Sequence, residues 1–133
     1  MRLDIAKFEK GDDIAILLSP SYGAGWSTWN YSELAYDKRV VEFWIEHHED
    51  VDYINALSYP NIYSNSSEIR MAANRLFGSW GYEDIYWGGF EDIKLTWIRK
   101  GEVYRIVEYD GSEHIEMFND ANWLHDAGWL IAR

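Results

Sequence analysis

The last third of the chain alternates apolar and polar side chains, the period expected of β-strands with one buried face. The pair Asp110-Gly111 interrupts this alternation and strongly favours a two-residue hairpin turn. An earlier polar turn at 99–102 contains a further glycine. The pattern predicts a three-stranded antiparallel meander and a short last strand, with strands at 93–98, 103–109, 112–117 and 129–131.

The middle of the chain has the spacing of two amphipathic helices. Apolar residues recur every three or four positions over 37–48, and Asp37 is a suitable N-cap for this helix. The same spacing runs over 66–78, beginning at one of two serines and ending at a glycine. Residues 51–65 fit no single pattern, and a short helix at 53–57 is one option.

Strand signals cluster towards the two ends of the chain, and helix signals lie between them. At the N-terminus, segments 3–8 and 13–18 predict a hairpin around a polar turn that contains glycine. Segregated strands and helices are typical of the α+β class. We therefore predict one α+β domain over 1–133, with a single antiparallel β-sheet of about five strands and two main helices packed on it. Glycine- and aromatic-rich loops at 19–30 and 79–90 connect these elements.

The composition combines many aromatic residues with no cysteine. Eight Trp, ten Tyr and five Phe residues supply both core material and candidate binding rings. The absence of cysteine excludes a disulfide framework, thiolate zinc sites and cysteine nucleophiles. The N-terminus lacks a signal-peptide pattern, and no apolar run reaches the ~18 residues of a membrane helix. These features predict a cytoplasmic protein with no membrane partner.

The formal charge of −11 comes from 23 acids against 12 lysines and arginines. Three segments, 40–69, 76–93 and 106–132, contain no lysine or arginine and hold most of the acids. Such a field attracts basic surfaces and repels phosphate backbones. The charge predicts a basic protein partner that itself binds nucleic acid, and it argues against direct nucleic-acid binding by this chain. An ordinary solvated acidic surface is the simpler alternative.

No residue pattern in the sequence meets the requirements of a catalytic or metal site. His47 and His48 are adjacent, and adjacent side chains on a helix point about 100° apart, so they do not form a ligand pair. No G-x-S-x-G or Walker-type motif is present. We predict no metal, no cofactor and no catalytic residue. A small hydrolase that uses His114 with Glu108 or Glu116 is retained as a third hypothesis.

Aromatic residues in the two loops, together with nearby acids, are the candidate partner-binding residues. Tyr and Trp beside carboxylates suit contacts with arginine-rich partners. The competing explanation is that these rings pin the loops to a small sheet. The aromatic candidates are Tyr22, Trp26, Trp29, Trp80 and Trp87, and the acidic candidates are Glu83, Asp84, Glu91, Asp92, Glu108, Asp110, Glu113 and Glu116.

Two motifs, Tyr-Gly-Ala-Gly-Trp-Ser-Thr-Trp-Asn at 22–30 and Glu-Tyr-Asp-Gly-Ser-Glu at 108–113, resemble a group of small, acidic, uncharacterised proteins encoded by bacteriophages and prophages. The resemblance covers the N-terminal third and the C-terminal strands. It implies a place in the cytoplasm of a bacterial host. Small acidic phage proteins often look like inhibitors of host defence nucleases, some of which imitate the charge of DNA.

The leading hypothesis is a non-enzymatic, phage-type inhibitor, similar to an anti-CRISPR protein, whose acidic aromatic surface blocks the nucleic-acid-binding face of a host defence protein. The alternative is a protein that sequesters a nucleotide defence signal. In that case a tryptophan would stack on the base, and basic residues would hold the phosphate. The residues expected for this role are Trp26, Trp29 or Trp87, with Arg99, Lys100 or Arg105.

Overall fold

The computed structural model describes residues 5–58, 67–118 and 129–133, with all side chains in these ranges except those of residues 49–58, 67–68 and 91. Within these ranges the chain forms two long helices, six strands and three short 3₁₀ helices. The helices are α1 (Lys38–Ser58) and α2 (Ser67–Ser79). The strands are β1 (Glu9–Lys10), β2 (Asp13–Leu18), β3 (Lys94–Arg99), β4 (Val103–Tyr109), β5 (Ser112–Met117) and β6 (Leu130–Ile131), and the 3₁₀ helices are Ser27–Trp29, Ser32–Ala35 and Phe90–Asp92.

The described strands form two antiparallel three-stranded sheets, and together with α1 and α2 they confirm the α+β class. The first sheet has the order β1-β2-β3, and the second has the order β5-β4-β6. The number of strands is close to the expected five, although they are divided between two sheets. The hairpin of β4 and β5 around Asp110-Gly111 and the short last strand β6 agree with the sequence prediction.

The predicted meander of β3, β4 and β5 is wrong in one pairing, because β3 pairs with β2 along its whole length. The turn after β3 is hydrogen-bonded to both sheets instead of closing a hairpin. The Lys100 N–H donates to the Asp12 carbonyl at 2.7 Å, and the Gly101 N–H donates to the Ala132 carbonyl at 2.6 Å. The chain therefore passes from one sheet to the other at this turn.

The opening hairpin is shorter than the sequence predicted. The first strand, β1, begins at Glu9, within the segment expected to be the turn, and Gly11 makes the turn with a φ of 60°. Of the expected strand at 3–8, residues 3 and 4 lie outside the described residues, and Lys7 forms an isolated bridge with Asp37. The second strand, β2, has the predicted bounds.

The strand β2 lies between the helices and the second sheet, because its apolar run Ile-Ala-Ile-Leu-Leu is buried on both faces. Ala15 and Leu17 pack in one cluster with residues of α1, α2 and the loops. Ile14, Ile16 and Leu18 pack in another cluster with Ile98 of β3 and with side chains of β4 and β5. The order of layers is helices, first sheet, second sheet.

The first helix begins where the sequence predicted and is longer than expected. Asp37 caps it, since its side-chain Oδ1 accepts the Arg39 N–H at 2.9 Å and its carbonyl accepts the Val41 N–H at 2.9 Å. The helix continues to Ser58 and includes the segment 53–57 that was considered as a separate short helix. No helix in the described part of the chain is long and apolar enough to cross a membrane.

The carboxylate of Asp37 is fully buried and ties the start of α1 to the loop after α2. Besides the N–H of Arg39, it accepts hydrogen bonds from the Arg39 guanidinium, at 2.8 Å to Oδ2, and from the Tyr82 hydroxyl, at 2.7 Å. Burial acts to raise the pKa of Asp37, but these hydrogen bonds outweigh it and lower the pKa below the ordinary value of 3.8. The guanidinium of Arg39 also lies 4.7 Å from the centre of the Trp80 ring.

The lowered pKa of Asp37 gives a testable pH dependence of stability. A carboxylate whose pKa is lower in the folded chain stabilises the fold above its unfolded pKa, and this contribution is lost as the pH falls through the folded pKa. Asp37→Asn keeps a good N-cap but weakens the bonds to Arg39 and Tyr82, so we expect a loss of about 1–3 kcal/mol near neutral pH. In thermal unfolding, this difference from the native chain should shrink as the pH falls below 3.8, the ordinary value from which the pKa of Asp37 is lowered. A difference that does not change with pH would contradict this role for Asp37.

Candidate functional site

Glu113 of β5 is buried and holds the loop that follows β2. Its side chain is 1% exposed, and its two oxygens accept four hydrogen bonds. Oε1 accepts the Ser19 N–H at 2.9 Å, while Oε2 accepts the Trp26 N–H at 2.8 Å, the Thr28 N–H at 2.9 Å and the Thr28 hydroxyl at 2.6 Å. Bonds to an ionised acceptor are stronger than neutral ones, and they offset the cost of burying the charge.

Three more hydrogen bonds fasten the same loop to the β4–β5 hairpin. The Glu113 N–H donates to the Ser19 carbonyl at 2.8 Å, and the Ser112 hydroxyl donates to the Pro20 carbonyl at 2.6 Å. The Gly23 N–H donates to the Asp110 carbonyl at 2.7 Å. The loop therefore lies over the turn of the hairpin, more than eighty residues away in the sequence.

The loop 79–90 joins the first loop on its other side. The side chain of Asn30 bridges the two, since its amide group donates to the Tyr86 carbonyl at 3.1 Å and its Oδ1 accepts the Tyr86 N–H at 2.8 Å. The Tyr31 hydroxyl donates to the Glu83 carbonyl at 2.9 Å. Two loops and one hairpin turn thus meet at one end of the molecule.

Exposed rings from all three segments lie at this end. Tyr109 and Tyr22 are 75% and 71% exposed, and their rings contact edge to face with centres 6.4 Å apart. Trp29 and Tyr86 are also exposed, with ring centres 5.7 Å apart, and Tyr31 is exposed beside them. Exposed rings that touch one another are unusual on a surface without a binding role, since single scattered rings are the norm.

Four exposed acids accompany these rings. Glu108 accepts the Trp29 indole N–H at 3.3 Å and the Gly111 N–H at 2.9 Å, so its carboxylate lies between a ring and the hairpin turn. Asp84 and Asp110 have φ values of 57° and 50°, a conformation that aspartate tolerates in turns. We call the set the loop-end surface; it consists of Tyr22, Trp29, Tyr31, Glu83, Asp84, Tyr86, Glu108, Tyr109 and Asp110.

Two predicted binding residues are buried and cannot contact a partner, which corrects their expected role. Trp26 is 0% exposed, its indole N–H donates to the Leu34 carbonyl at 3.0 Å, and its ring packs against Phe77 and Phe90. Glu113 is the acceptor described above. Both residues position the first loop, so the alternative explanation of loop anchoring holds for them.

The other predicted residues are not part of the loop-end surface. Trp80 and Trp87 are partly buried, and each packs against Phe77. Glu116 pairs with Arg105 across β4 and β5. Asp92 is partly buried at the end of the last 3₁₀ helix, and the side chain of Glu91 lies outside the described ones.

Three rings of the surface, Tyr31, Tyr86 and Tyr109, were not among the candidate residues, although Tyr86 lies in the aromatic-rich loop at 79–90. Tyr109 immediately precedes the Asp-Gly turn, and residues at a hairpin turn are seldom covered, so its exposure was recognisable from the sequence. Tyr31 and Tyr86 carried no such signal. Their positions depend on the bridge made by Asn30, which joins segments 56 residues apart.

The nucleotide hypothesis required tryptophans and basic residues to meet, and two of its three basic residues, Arg99 and Lys100, lie far from the first loop. In the β2–β3 pair, Leu18 leads into the first loop, whereas Asp13 and Arg99 lie opposite each other at the far end. Six strand residues span roughly 17 Å at about 3.3 Å per residue. Lys100 follows Arg99 and pairs with Glu9 at 2.9 Å.

For the hydrolase hypothesis, the strand geometry separates His114 from Glu108 but not from Glu116, whose carboxylate pairs with Arg105. His114 and Glu116 are two residues apart on β5 and therefore lie on one face of the sheet. Glu108 lies opposite Glu113 in the ladder, and this pair lies on the other face. Among the described residues, no group of three or more histidines and acids is arranged to hold a metal ion.

Comparisons with known proteins do not assign this chain to a family. No protein-family model matches the chain, and no similar protein was found among the curated proteins or the solved structures.

Proposed function

We propose that this chain is a non-enzymatic, phage-type inhibitor that binds a basic, nucleic-acid-binding protein of a bacterial defence system through the loop-end surface. One observation carries the proposal: two loops and a hairpin turn, distant in sequence, place five exposed rings and four exposed acids side by side. The buried Glu113 fixes two of these segments to each other before any partner arrives.

The chemistry of the loop-end surface suits arginine and lysine side chains. Tyrosine and tryptophan faces attract cations, and carboxylates accept paired hydrogen bonds from guanidinium groups. Rigid aromatic side chains lose little conformational entropy on binding and are enriched among the residues that dominate interface energies. Glu108 beside Trp29 is such a combination, with an acceptor and a ring face available to one guanidinium.

The charge of the whole chain supports competition with nucleic acid. A chain of charge −11 is repelled by DNA and attracted to the basic groove that DNA occupies. Acids of the loop-end surface would take the place of phosphates in that groove, while the rings would fill the positions of bases. Such a protein needs no catalytic group or cofactor to inhibit a nuclease.

The proposal predicts displacement of DNA from a purified CRISPR effector nuclease. We expect the chain to release labelled target DNA from at least one member of a panel of such effectors, as measured by fluorescence anisotropy. Direct binding to that effector should weaken at least tenfold between about 50 and 300 mM salt, because exposed charges are screened. Binding that is insensitive to salt, or no displacement from any effector of the panel, would contradict the proposal.

A further inference from the structure

Two exposed rings of the loop-end surface rest against glycine backbone. The rings of Trp29 and Tyr86 are 40% and 53% exposed, with their centres 5.7 Å apart and their planes inclined by 46°. A Cβ at Gly25 would lie 2.9 Å from Cδ1 of Trp29, and a Cβ at Gly88 would lie 2.6 Å from Cε1 of Tyr86. Each ring therefore lies where a side chain on the neighbouring glycine would displace it, and part of its surface stays open to solvent.

Glu108 holds its carboxylate at the edge of the Trp29 ring. Its Oε2 accepts the indole N–H of Trp29 at 3.3 Å and the Gly111 N–H at 2.9 Å. Within the described residues, Oε1 accepts no hydrogen bond, and Glu108 forms no ion pair. Because the indole and the hairpin turn both hold Oε2, Oε1 is an acceptor of fixed position that is open to a partner.

The charge around these groups selects a cation as the occupant. Segments 11–37, 76–93 and 106–132, which supply every residue of the loop-end surface, contain no lysine or arginine. In the described part of the chain, no ion pair involves the other acids of the surface, Glu83, Asp84 and Asp110. An anion would meet like charge here, and an apolar group would cover Oε1 without giving it a donor.

The ring pair distinguishes between the two basic side chains. A guanidinium group is planar and weakly hydrated, so it can stack on an aromatic face while its N–H groups reach an acceptor beside the ring. An ammonium group is compact and strongly hydrated, and it gains less from a ring face. Trp29 and Tyr86 supply the aromatic surface, and Oε1 of Glu108 is the acceptor at its edge.

We propose that Trp29, Tyr86 and Glu108 form a binding site for one arginine side chain of the partner protein, with arginine preferred to lysine. This specificity rests on the proposed function, in which the loop-end surface binds a basic protein, and it narrows that partner to one that presents an arginine. The guanidinium stacks on the ring pair and donates to Oε1 of Glu108. Because the rings and the carboxylate are already held in place, little conformational entropy is lost on binding.

Two peptides of equal charge test the preference, acetyl-Gly-Arg-Gly-Arg-Gly-Arg-amide and its counterpart with lysine in place of arginine. Their dissociation constants are measured from the NMR shift of the Trp29 indole N–H, whose signal is assigned by its absence in Trp29→Phe. We expect the arginine peptide to bind at least about threefold more tightly, as a ring face at an exposed site allows. Equal binding, tighter binding of the lysine peptide, or no shift with either peptide at about 5 mM would overturn the proposal.

Three variants test the residues of the site. Glu108→Gln should weaken binding of the arginine peptide at least about threefold, whereas Glu46→Gln, which removes an exposed charge on α1, should change it less than about twofold. Tyr86→Leu should bring the affinities of the two peptides closer together, because lysine depends less on the ring. Equal weakening by Glu108→Gln and Glu46→Gln, or an unchanged preference in Tyr86→Leu, would overturn the site.

The peptide result is separable from the displacement of DNA. If the arginine peptide is preferred and no effector releases its DNA, the proposed function is wrong and the arginine site remains. If an effector releases its DNA and the two peptides bind equally, the proposed function remains and the arginine site is wrong.

Discussion

Glu113→Gln is expected to lower the free energy of unfolding by about 2–3 kcal/mol. Both oxygens of Glu113 accept N–H groups, so an amide nitrogen at either position faces a donor. If the amide oxygen keeps the three bonds to Trp26 and Thr28, the N–H of Ser19 loses its acceptor. A buried donor without an acceptor costs about 1–3 kcal/mol, and the remaining bonds lose their charge assistance.

Urea unfolding measures this change, and Glu108→Gln is the matched control. Glu108 lies directly opposite Glu113 in the ladder but is exposed, so its loss should stay below about 1 kcal/mol. The first loop should also loosen in Glu113→Gln, which faster hydrogen exchange of the Trp26 and Thr28 N–H groups would report. Equal losses for the two variants would show that Glu113 does not hold the loop.

Gly111→Ala is expected to destabilise the fold by about 3 kcal/mol for two additive reasons. Gly111 has a φ of 88°, which L-residues rarely adopt, and this alone costs roughly 1–2 kcal/mol. A Cβ at this position would also lie 2.8 Å from the carbonyl carbon and 2.9 Å from the Cα of Ala24, which are backbone atoms of the first loop. Because backbone cannot rotate aside, the loop must move away from the hairpin.

Gly101→Ala separates the two contributions. Gly101 has a similar φ of 94°, but a Cβ there meets no atom within 4 Å, so only the conformational cost of roughly 1–2 kcal/mol remains. Thermal or urea unfolding of the two variants gives the difference. A loss for Gly111→Ala no larger than that for Gly101→Ala would contradict the close packing of the loop on the hairpin turn.

Local sequence signals predicted the elements of the fold well. The apolar run of β2, the Asp37 cap of α1 and the Asp-Gly turn between β4 and β5 each depend on residues within one element or its ends. The partner of β3 was predicted wrongly because pairing between strands 76 or more residues apart leaves no local pattern. A turn with glycine favoured a hairpin, and only the hydrogen bonds of Lys100 and Gly101 to two different sheets exclude it.

The candidate site was predicted in part. Tyr22, Trp29 and Asp110 were expected to be partner-binding residues and do lie on the loop-end surface, together with three other predicted acids. Trp26 and Glu113 have the same residue types but are buried, since burial depends on which loop covers them. A buried glutamate is recognisable only when its donors are known, and here they come from residues at least 85 positions away.

The most direct test of the loop-end surface compares two variants that each remove three charges. For each variant, we would measure direct binding to a CRISPR effector from which the native chain displaces DNA. Glu83→Gln, Asp84→Asn and Asp110→Asn neutralise three of the four acids of the surface, and asparagine also tolerates the positive φ of the two aspartates. Asp12→Asn, Glu42→Gln and Glu46→Gln neutralise exposed acids elsewhere. We expect the first variant to bind at least tenfold more weakly with a reduced salt dependence, and the second to bind within about threefold of the native chain. Equal weakening of both would show that net charge, and not this surface, determines binding.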